Sequence, residues 1–260
     1  MPMRSSQKLL AFLLSSSFLL PLPAVAAAPS ELKQEAMANV DAHAKMVQVM
    51  VDTVFSFGEP GFQEIRTSEY LTDILQKNGF KVTRGVAGIP TAWTATWGEG
   101  GPLIALGSDI DALLGLSQMP GTSKISPMVA GAPGHGEGHN SGMPLQVAAA
   151  LAVKDVMTKN NIKGRLLIWP GVAEELLGSK AFYVREGVFK GVDANIFAHV
   201  SSDFGTGWGD LGNTGMVSVE YSFHGKTSHA AAAPWLGRSA LDAVELMDIG
   251  WNFRREHLPL

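Results

Sequence analysis

The sequence predicts an α/β fold, because apolar runs of strand length alternate with helical stretches at 145–157 and 179–186. The runs span Pro102–Gly107, Arg165–Trp169 and Ala194–Ala198. Near-continuous apolar strands separated by helices are typical of a parallel sheet that is covered on both faces. Acidic or imidazole side chains directly follow each run, and ligands of such sheets bind beyond the carboxyl ends of the strands. We therefore expect a functional site there.

Two helices and two strands are predicted before these runs. Apolar residues recur at helical spacing from Ser30 to Phe57, and a glycine-rich turn ends the pattern. A second helix is predicted from Thr67 to Lys77, with Asn78-Gly79 as its C-terminal signal. The segments 80–83 and 91–97 are predicted strands.

The pattern changes after about Gly212, which indicates a second domain. Residues 216–223 alternate between apolar and polar, as in a half-buried strand. A helix is predicted from Ser239 to Phe253. We therefore expect one domain over 27–212 and the start of an α+β domain over 213–260.

The first 26 residues have the pattern of a secretory signal peptide. Arg4 and Lys8 precede an apolar run from Leu9 to Leu20, and small residues follow at 24–28. A membrane anchor is the alternative, but the run of about 12 residues is short of the roughly 20 that span a bilayer. We expect cleavage near Ala26 and export to the periplasm or the medium.

The composition argues against nucleic-acid binding and against any role that requires cysteine. The chain has 20 Lys and Arg against 24 Asp and Glu, and it lacks the clustered basic residues of a nucleic-acid-binding surface. It has no cysteine, so neither disulfides nor a thiolate ligand or nucleophile are available.

The loop 134–142 indicates metal binding. His135, Glu137 and His139 alternate with glycines, which allow tight turns that aim side chains inwards. Nitrogen and oxygen ligands of this kind suit zinc, manganese or cobalt. A flexible polar loop is one alternative. A dinucleotide-binding loop is another, but the spacing is not G-x-G-x-x-G and no strand directly precedes it.

The adjacent acids Glu174 and Glu175 follow a predicted strand and open a predicted helix. In a metal site, one carboxylate would bind the metal while its neighbour takes a proton from metal-bound water. Alternatively, both acids only complement the helix dipole. His199 ends an apolar strand, where a buried imidazole needs a partner such as a metal ion.

The remaining candidates are weaker. Asp109 and Asp111 either serve the site or orient its histidine ligands. His229 lies among small residues, which indicate close packing or a substrate-facing surface. We interpret His43 and His257 as surface residues.

Together these motifs resemble the amidohydrolase branch of the dinuclear-metal aminoacylase and carboxypeptidase family. Several separate motifs in the family's order make the match more specific than any one alone, and they extend over nearly all of the mature chain. They are Gly88–Thr91, Asp109–Leu113, the loop 134–140, Ala173–Glu175, Ala198–Val200 and the segment 229–243. The resemblance implies a three-layer α/β/α catalytic domain and the start of a ferredoxin-like lid and dimerisation domain.

The resemblance also implies a site for two divalent metal ions, zinc or manganese, with cobalt as a further candidate. His139, Glu175 and His199 match the family's metal ligands. Glu137 stands where this branch usually places a cysteine ligand. A carboxylate is a harder ligand than a thiolate, which makes manganese or cobalt more competitive with zinc.

The implied reaction is hydrolysis of an amide bond in small acylated amino acids or aminobenzoyl-glutamate-like compounds. Glu174 matches the general base, and Asp111 matches a supporting residue. His229 matches a lid histidine that stabilises the developing oxyanion, often across a homodimer. The expected partner is this small-molecule substrate, with neither a nucleic acid nor, after signal cleavage, a membrane.

Two alternatives to this enzyme stay open. Relatives continue beyond the position of Leu260 and supply one more histidine ligand, so the chain could be a truncated, inactive remnant with only metal-binding or association capacity. A periplasmic ligand-binding protein would share the α/β pattern and the export signal. It gives no reason for adjacent acids beside several imidazoles.

Overall fold

The computed structural model describes residues 30–209 and 217–258. They divide into two compact units, one ending at Phe204 and the other beginning at Gly205. The predicted signal peptide and the predicted domain boundary near 212 lie outside the described residues. Among the helices of the described ranges, none is both long and apolar enough to cross a membrane.

The first unit is built on a five-stranded sheet in the order β1-β2-β4-β3-β5. The strands are β1 (Lys81–Arg84), β2 (Trp93–Glu99), β3 (Leu103–Asp109), β4 (Gly164–Gly171) and β5 (Ala194–Phe197). Strands β3, β4 and β5 are parallel, whereas β2 runs antiparallel to both β1 and β4. The sheet is therefore mixed rather than parallel throughout. The connection between β1 and β2 is too short for a crossover, so these two strands can pair only in the antiparallel direction.

In the described residues, five α-helices belong to the first unit and one to the second. They are α1 (Glu31–Ala42), α2 (Ala44–Phe57), α3 (Ile65–Lys77), α4 (His139–Lys159), α5 (Ser179–Arg185) and, in the second unit, α6 (Ala240–Arg255). The single helix predicted over 30–57 is thus two helices that meet at His43. His43 is half-buried at this break, and His257 is exposed.

Helices cover both faces of the parallel strands, which confirms the α/β fold. Successive strand residues point to opposite faces. On one face of β3, Ser108 lies against Gly142 of α4, where an added side chain would collide with the serine hydroxyl. On the other face, Gly107 lies against the indole of Trp169, and Tyr183 of α5 packs edge-on to that indole with ring centroids 6.0 Å apart. The cover is thinner at β5, whose four residues are all exposed in the described part of the chain although Lys180 of α5 lies over the Phe197 ring.

The strand predicted over 216–223 is not observed. Residues 217–223 have no regular secondary structure, and Val217 and Val219 are exposed. Alternating hydrophobicity produces a stable strand only where another strand or helix covers its apolar side. The helix predicted over 239–253 is confirmed as α6, and the Ser239 hydroxyl caps it by accepting a hydrogen bond from the Asp242 amide at 3.1 Å.

The contact between Gly107 and Trp169 makes a testable prediction. We expect Gly107→Ala to lower the free energy of unfolding by about 1–3 kcal/mol, because the added methyl group overpacks a core that is already filled by the indole. Urea titration followed by circular dichroism measures the change. As a control, Gly250→Ala in α6 adds a methyl group that meets nothing within 4 Å and should stabilise the helix by about 0.5–1 kcal/mol. Equal effects of the two substitutions would contradict the packing of Gly107 against the indole.

Candidate metal centre

Candidate ligands converge at the carboxyl ends of the parallel strands. In the described part of the chain, two groups of side chains have ligand atoms within 4.8 Å of one another. One group is Asp109, His139 and His199, and the other is Glu137, His139, Glu174 and Glu175. The structure therefore brings the predicted site residues together in two groups that share His139.

The two histidines face each other through their Nε2 atoms. His139 Nε2 lies 3.1 Å from His199 Nε2, and the rings are nearly perpendicular. His139 Nδ1 donates to the carbonyl of Asp111 at 3.0 Å, and His199 Nδ1 donates to the carbonyl of Val200 at 2.7 Å. Both Nε2 atoms are therefore lone-pair acceptors in the neutral rings, and two such atoms repel each other unless a proton or cation lies between them.

The separation of these nitrogen atoms fits a metal ion. Two imidazole nitrogens at zinc-bond lengths of about 2.0–2.1 Å and a tetrahedral angle lie about 3.4 Å apart. The observed 3.1 Å differs from this by only a few tenths of an ångström. The donor set of nitrogen and carboxylate oxygen suits zinc, manganese or cobalt.

Carboxylates around His139 favour positive charge at this point. His139 is buried, and burial alone would lower its pKa. The hydrogen bond to Asp111 and the charges of Asp109 and Asp111 outweigh burial and raise the pKa of His139 to about 9. The site therefore attracts a cation, which a bound metal would supply in place of the proton.

The acid pair lies on a tight turn rather than at the start of a helix. Glu174–Leu176 form a single 3₁₀ turn, and α5 begins only at Ser179. The alternative that both acids only complement a helix dipole is therefore wrong. Ala173 and Leu177, at either end of the turn, have left-handed φ values of 51° and 61°. Each costs about 1 kcal/mol or more in a non-glycine residue, so surrounding contacts must hold the turn in place.

Glu175 has an environment that suits a metal ligand. Its Oε1 atom is buried and has no hydrogen-bond partner among the described residues. Burial raises the pKa of Glu175, and the hydrogen bond and charge of neighbouring Glu137 raise it further, to about 7. A divalent cation would relieve both the desolvation and the repulsion between the two carboxylates.

Asp111 connects the two halves of the site. It is buried, its Oδ2 atom accepts a hydrogen bond from the Glu175 amide at 2.9 Å, and its Oδ1 atom lies 3.4 Å from His139 Nδ1. One carboxylate thus orients both an imidazole and the acid turn.

Two predicted residues lie away from the ligand groups. His135 faces α2, where its Nε2 donates to the carbonyl of Val54 at 3.2 Å, and burial lowers its pKa to about 4. His229 lies in the second unit, where its Nδ1 accepts hydrogen bonds from the amides of Ala231 and Ala232 at 3.2 and 3.0 Å.

Sequence reasoning missed two charged residues near the site. Lys180 forms an ion pair with buried Asp109, with Nζ and Oδ1 2.8 Å apart. Glu64 is fully buried, burial raises its pKa, and its carboxylate accepts a hydrogen bond from the amide of Ala173. Neither residue lies in a ligand-like motif, and each reaches a partner at least 71 positions away along the chain. No local pattern could have identified them.

Known proteins are similar to this chain in sequence and in fold, although no family model matches the chain. One subunit of the p-aminobenzoyl-glutamate hydrolase of Escherichia coli is 39% identical over 209 residues, which cover 80% of this chain and 43% of that protein. The Xaa-Arg dipeptidase of Mus musculus is 30% identical over 241 residues, which cover 87% and 51%. The crystal structure of a dinuclear metal-binding peptidase of the M20 family from Bacillus subtilis has a TM-score of 0.51 at 23% identity, over 63% of this chain and 44% of that one.

The fold and the converging side chains define an α/β protein with a candidate metal centre. The sequence similarity then confirms the predicted family, and the chain belongs to the amidohydrolase branch of the dinuclear-metal aminoacylase and carboxypeptidase family. It spans about half the length of the two curated relatives. Both relatives are hydrolytic enzymes, so the matches do not favour the alternative of an inactive remnant.

The raised pKa values predict that metal affinity rises with pH. Metal binds the deprotonated ligands, so the proton on His139, with a pKa of about 9, and the proton on Glu175, with a pKa of about 7, must leave. We expect the Kd for Co²⁺ to fall up to about a hundredfold per pH unit below pH 7 and about tenfold per unit between pH 7 and 9. Calorimetric titration of metal-stripped protein measures this. A Kd that does not change across this range would contradict the assignment.

The ion pair of Asp109 makes a further prediction for metal-free protein. Burial raises the pKa of Asp109 and the Lys180 ammonium opposes this rise, so Lys180→Met should raise the pKa further. The folded state then binds a proton more tightly than the unfolded state, and stability falls as pH rises above the ordinary value of 3.8. We expect a loss of about 1–2 kcal/mol near pH 8 that shrinks on acidification, allowing for solvent at the partly exposed lysine.

Urea titrations at several pH values measure this loss. The control is Lys163→Met, which breaks an exposed pair with Glu99 and should have no measurable effect. A pH-independent loss for Lys180→Met would show that Asp109 does not depend on its charge partner.

Proposed function

We propose that the chain carries the catalytic site of a metal-dependent amidohydrolase that cleaves the amide bond of acylated amino acids. The observation that carries the proposal is the facing pair of imidazole nitrogens, His139 Nε2 and His199 Nε2, beside the carboxylates of Glu137, Glu174 and Glu175. The similarity to a p-aminobenzoyl-glutamate hydrolase supports aminobenzoyl-glutamate-like compounds as substrates.

Four side chains would hold two divalent metal ions, with zinc, manganese and cobalt as candidates. They are Glu137, His139, Glu175 and His199. When bound, such ions polarise the scissile carbonyl and lower the pKa of water. The carboxylate of Glu137 adds a hard oxygen ligand, which favours manganese or cobalt relative to a site with a thiolate.

Glu174 is the proposed general base. Its carboxylate lies in the ligand group that contains His139 and Glu175, and it is half-buried. Because the two acids are adjacent on one tight turn, one can serve as a ligand while the other exchanges protons with water and substrate. Glu174 would accept the proton of the attacking water and deliver it to the nitrogen of the leaving amine.

Asp111 would act as a positioning residue. Its backbone carbonyl and carboxylate fix the ring of His139 with Nδ1–H towards Asp111, which leaves Nε2 as the ligand atom. Its second oxygen accepts the hydrogen bond from the Glu175 amide. Loss of this carboxylate would therefore disturb an imidazole ligand and a carboxylate ligand together.

His229 is proposed to stabilise the oxyanion. The amides of Ala231 and Ala232 donate to its Nδ1, so the neutral ring carries its proton on Nε2. An Nε2–H group is the donor that a developing oxyanion requires. This histidine would act from the lid, across a homodimer.

Export and domain organisation complete the proposal. The pattern of residues 1–26 supports a cleaved signal peptide and a periplasmic or secreted protein. Residues 27–212 would form the catalytic domain, and residues 213–260 would begin the lid and dimerisation domain.

Substitution of the proposed base tests the function. We expect Glu174→Gln to lower kcat for p-aminobenzoyl-glutamate by about 10²–10⁴-fold, because the amide cannot accept the proton of the attacking water. Metal content, measured by elemental analysis, should stay at that of the unmodified protein. The matched control is Glu186→Gln, an exposed residue at the end of α5 that should retain full turnover. Turnover by Glu174→Gln at the rate of the unmodified protein would refute the role of Glu174.

A further inference from the structure

We infer that Glu64 is a positioning residue whose buried carboxylate holds the backbone of Ala173 and thereby presents Glu174 and Glu175 to the metal centre. The inference rests on the proposed function, since it concerns the same acid pair. Glu64 would thus support the site from a distant part of the chain.

The burial of Glu64 requires an explanation. The residue directly precedes α3 and is fully buried. Its Oε1 atom accepts a hydrogen bond of 2.7 Å from the amide of Ala173, which lies 109 positions further along the chain. In the described residues, no ion pair includes Glu64. Burial of a carboxylate without a cationic partner is costly, so a carboxylate in this position indicates a specific role.

Ala173 is the point at which the acid turn needs to be held. It is fully buried and has the left-handed conformation, with φ 51° and ψ 38°. Its carbonyl accepts hydrogen bonds from Leu176 and Gly178 within the turn, at 3.2 and 3.1 Å, which leaves its amide for a partner outside the turn. Glu64 is that partner. Without Glu64, the buried amide of the strained residue Ala173 would have no hydrogen-bond acceptor.

Glu64 and Asp111 hold the turn at two nearby points. Glu64 binds the amide of Ala173 on one side of Glu174, and Asp111 binds the amide of Glu175 on the other. The backbone on both sides of the proposed base is therefore fixed by buried carboxylates. Displacement of either would change the direction in which both acid side chains point.

The segment that carries Glu64 is itself firmly anchored. A Cβ atom on Gly61 would lie 2.9 Å from Ala173 Cα, so the backbone of this segment contacts the acid turn directly. Glu59 accepts a hydrogen bond from the Ala112 amide through its carbonyl, and its carboxylate caps α3 by accepting hydrogen bonds from the amides of Arg66 and Thr67. The position of Glu64 thus depends on the start of α3 and on the loop that contains Asp111.

Two substitutions separate the hydrogen bond from the charge. Glu64→Gln keeps a carbonyl oxygen at the same reach, so it can still accept the Ala173 amide, but it loses the charge. Glu64→Asp keeps the charge on a side chain that is shorter by one methylene group, which draws the acceptor away from Ala173. The positioning role requires the hydrogen bond, so glutamine should preserve the site and aspartate should damage it.

Cobalt binding to metal-stripped protein is the primary measurement. We expect Glu64→Asp to raise the Kd for Co²⁺ by about 10–100-fold, which is the usual effect of losing a residue that supports metal ligands. The visible spectrum of the bound Co²⁺ should change as well. Glu64→Gln should stay within about threefold of the unmodified protein by the same reasoning. For p-aminobenzoyl-glutamate, the aspartate variant should lose mainly kcat, because the acid pair rather than a substrate contact is displaced.

A destabilised control separates positioning from general loss of stability. Leu75→Ala removes a fully buried side chain from the far end of α3 and should lower the free energy of unfolding without changing the Kd for Co²⁺. Glu64→Asp with the Kd and spectrum of the unmodified protein would overturn the inference. So would a Glu64→Gln variant as impaired as the aspartate variant, because the charge rather than the hydrogen bond would then be required.

The measurement also separates this inference from the proposed function. If the unmodified protein binds Co²⁺ but cleaves no acylated amino acid, the proposed function fails while the cobalt data still decide the role of Glu64. If it binds no Co²⁺ at all, both are overturned.

Discussion

The site depends on one constraint: groups that repel each other must be held within a few ångströms at a partly buried sheet edge. The Nε2 atoms of His139 and His199 face each other across 3.1 Å, and the carboxylates of Glu137 and Glu175 lie close enough to raise the pKa of Glu175. A proton or a cation between such groups would balance them. The hydrogen bonds around the site serve to maintain this arrangement.

The candidate ligands come from parts of the chain that the parallel strands bring together. His139 begins α4, which lies against β3, while the acid turn follows β4 and His199 follows β5. Buried carboxylates then connect these segments, because Asp111 contacts both His139 and Glu175. Fixed strand ends set the coarse position of each ligand, and hydrogen bonds set its orientation.

Much of the fold and most of the site could be predicted from the sequence, for identifiable reasons. Asp109 ends β3, Glu174 and His199 follow shortly after β4 and β5, and parallel strands place their carboxyl ends together. The break at His43 and the left-handed Ala173 could not be predicted, since neither carries a glycine or proline signal. Glu64 and Lys180 were missed because their partners are distant in sequence, and local patterns report only near neighbours.

The strain of the site connects its stability to its chemistry. Left-handed residues at both ends of the acid turn, the buried carboxylate of Glu64 and the repulsion between Glu137 and Glu175 all oppose folding. With no cysteine in the sequence, disulfides cannot offset this cost. An ion that binds only the folded chain stabilises it in proportion to the logarithm of its concentration relative to Kd. An ion bound at the proposed site would relieve the repulsion between Glu137 and Glu175, so the same ion would serve the proposed reaction and stabilise the fold.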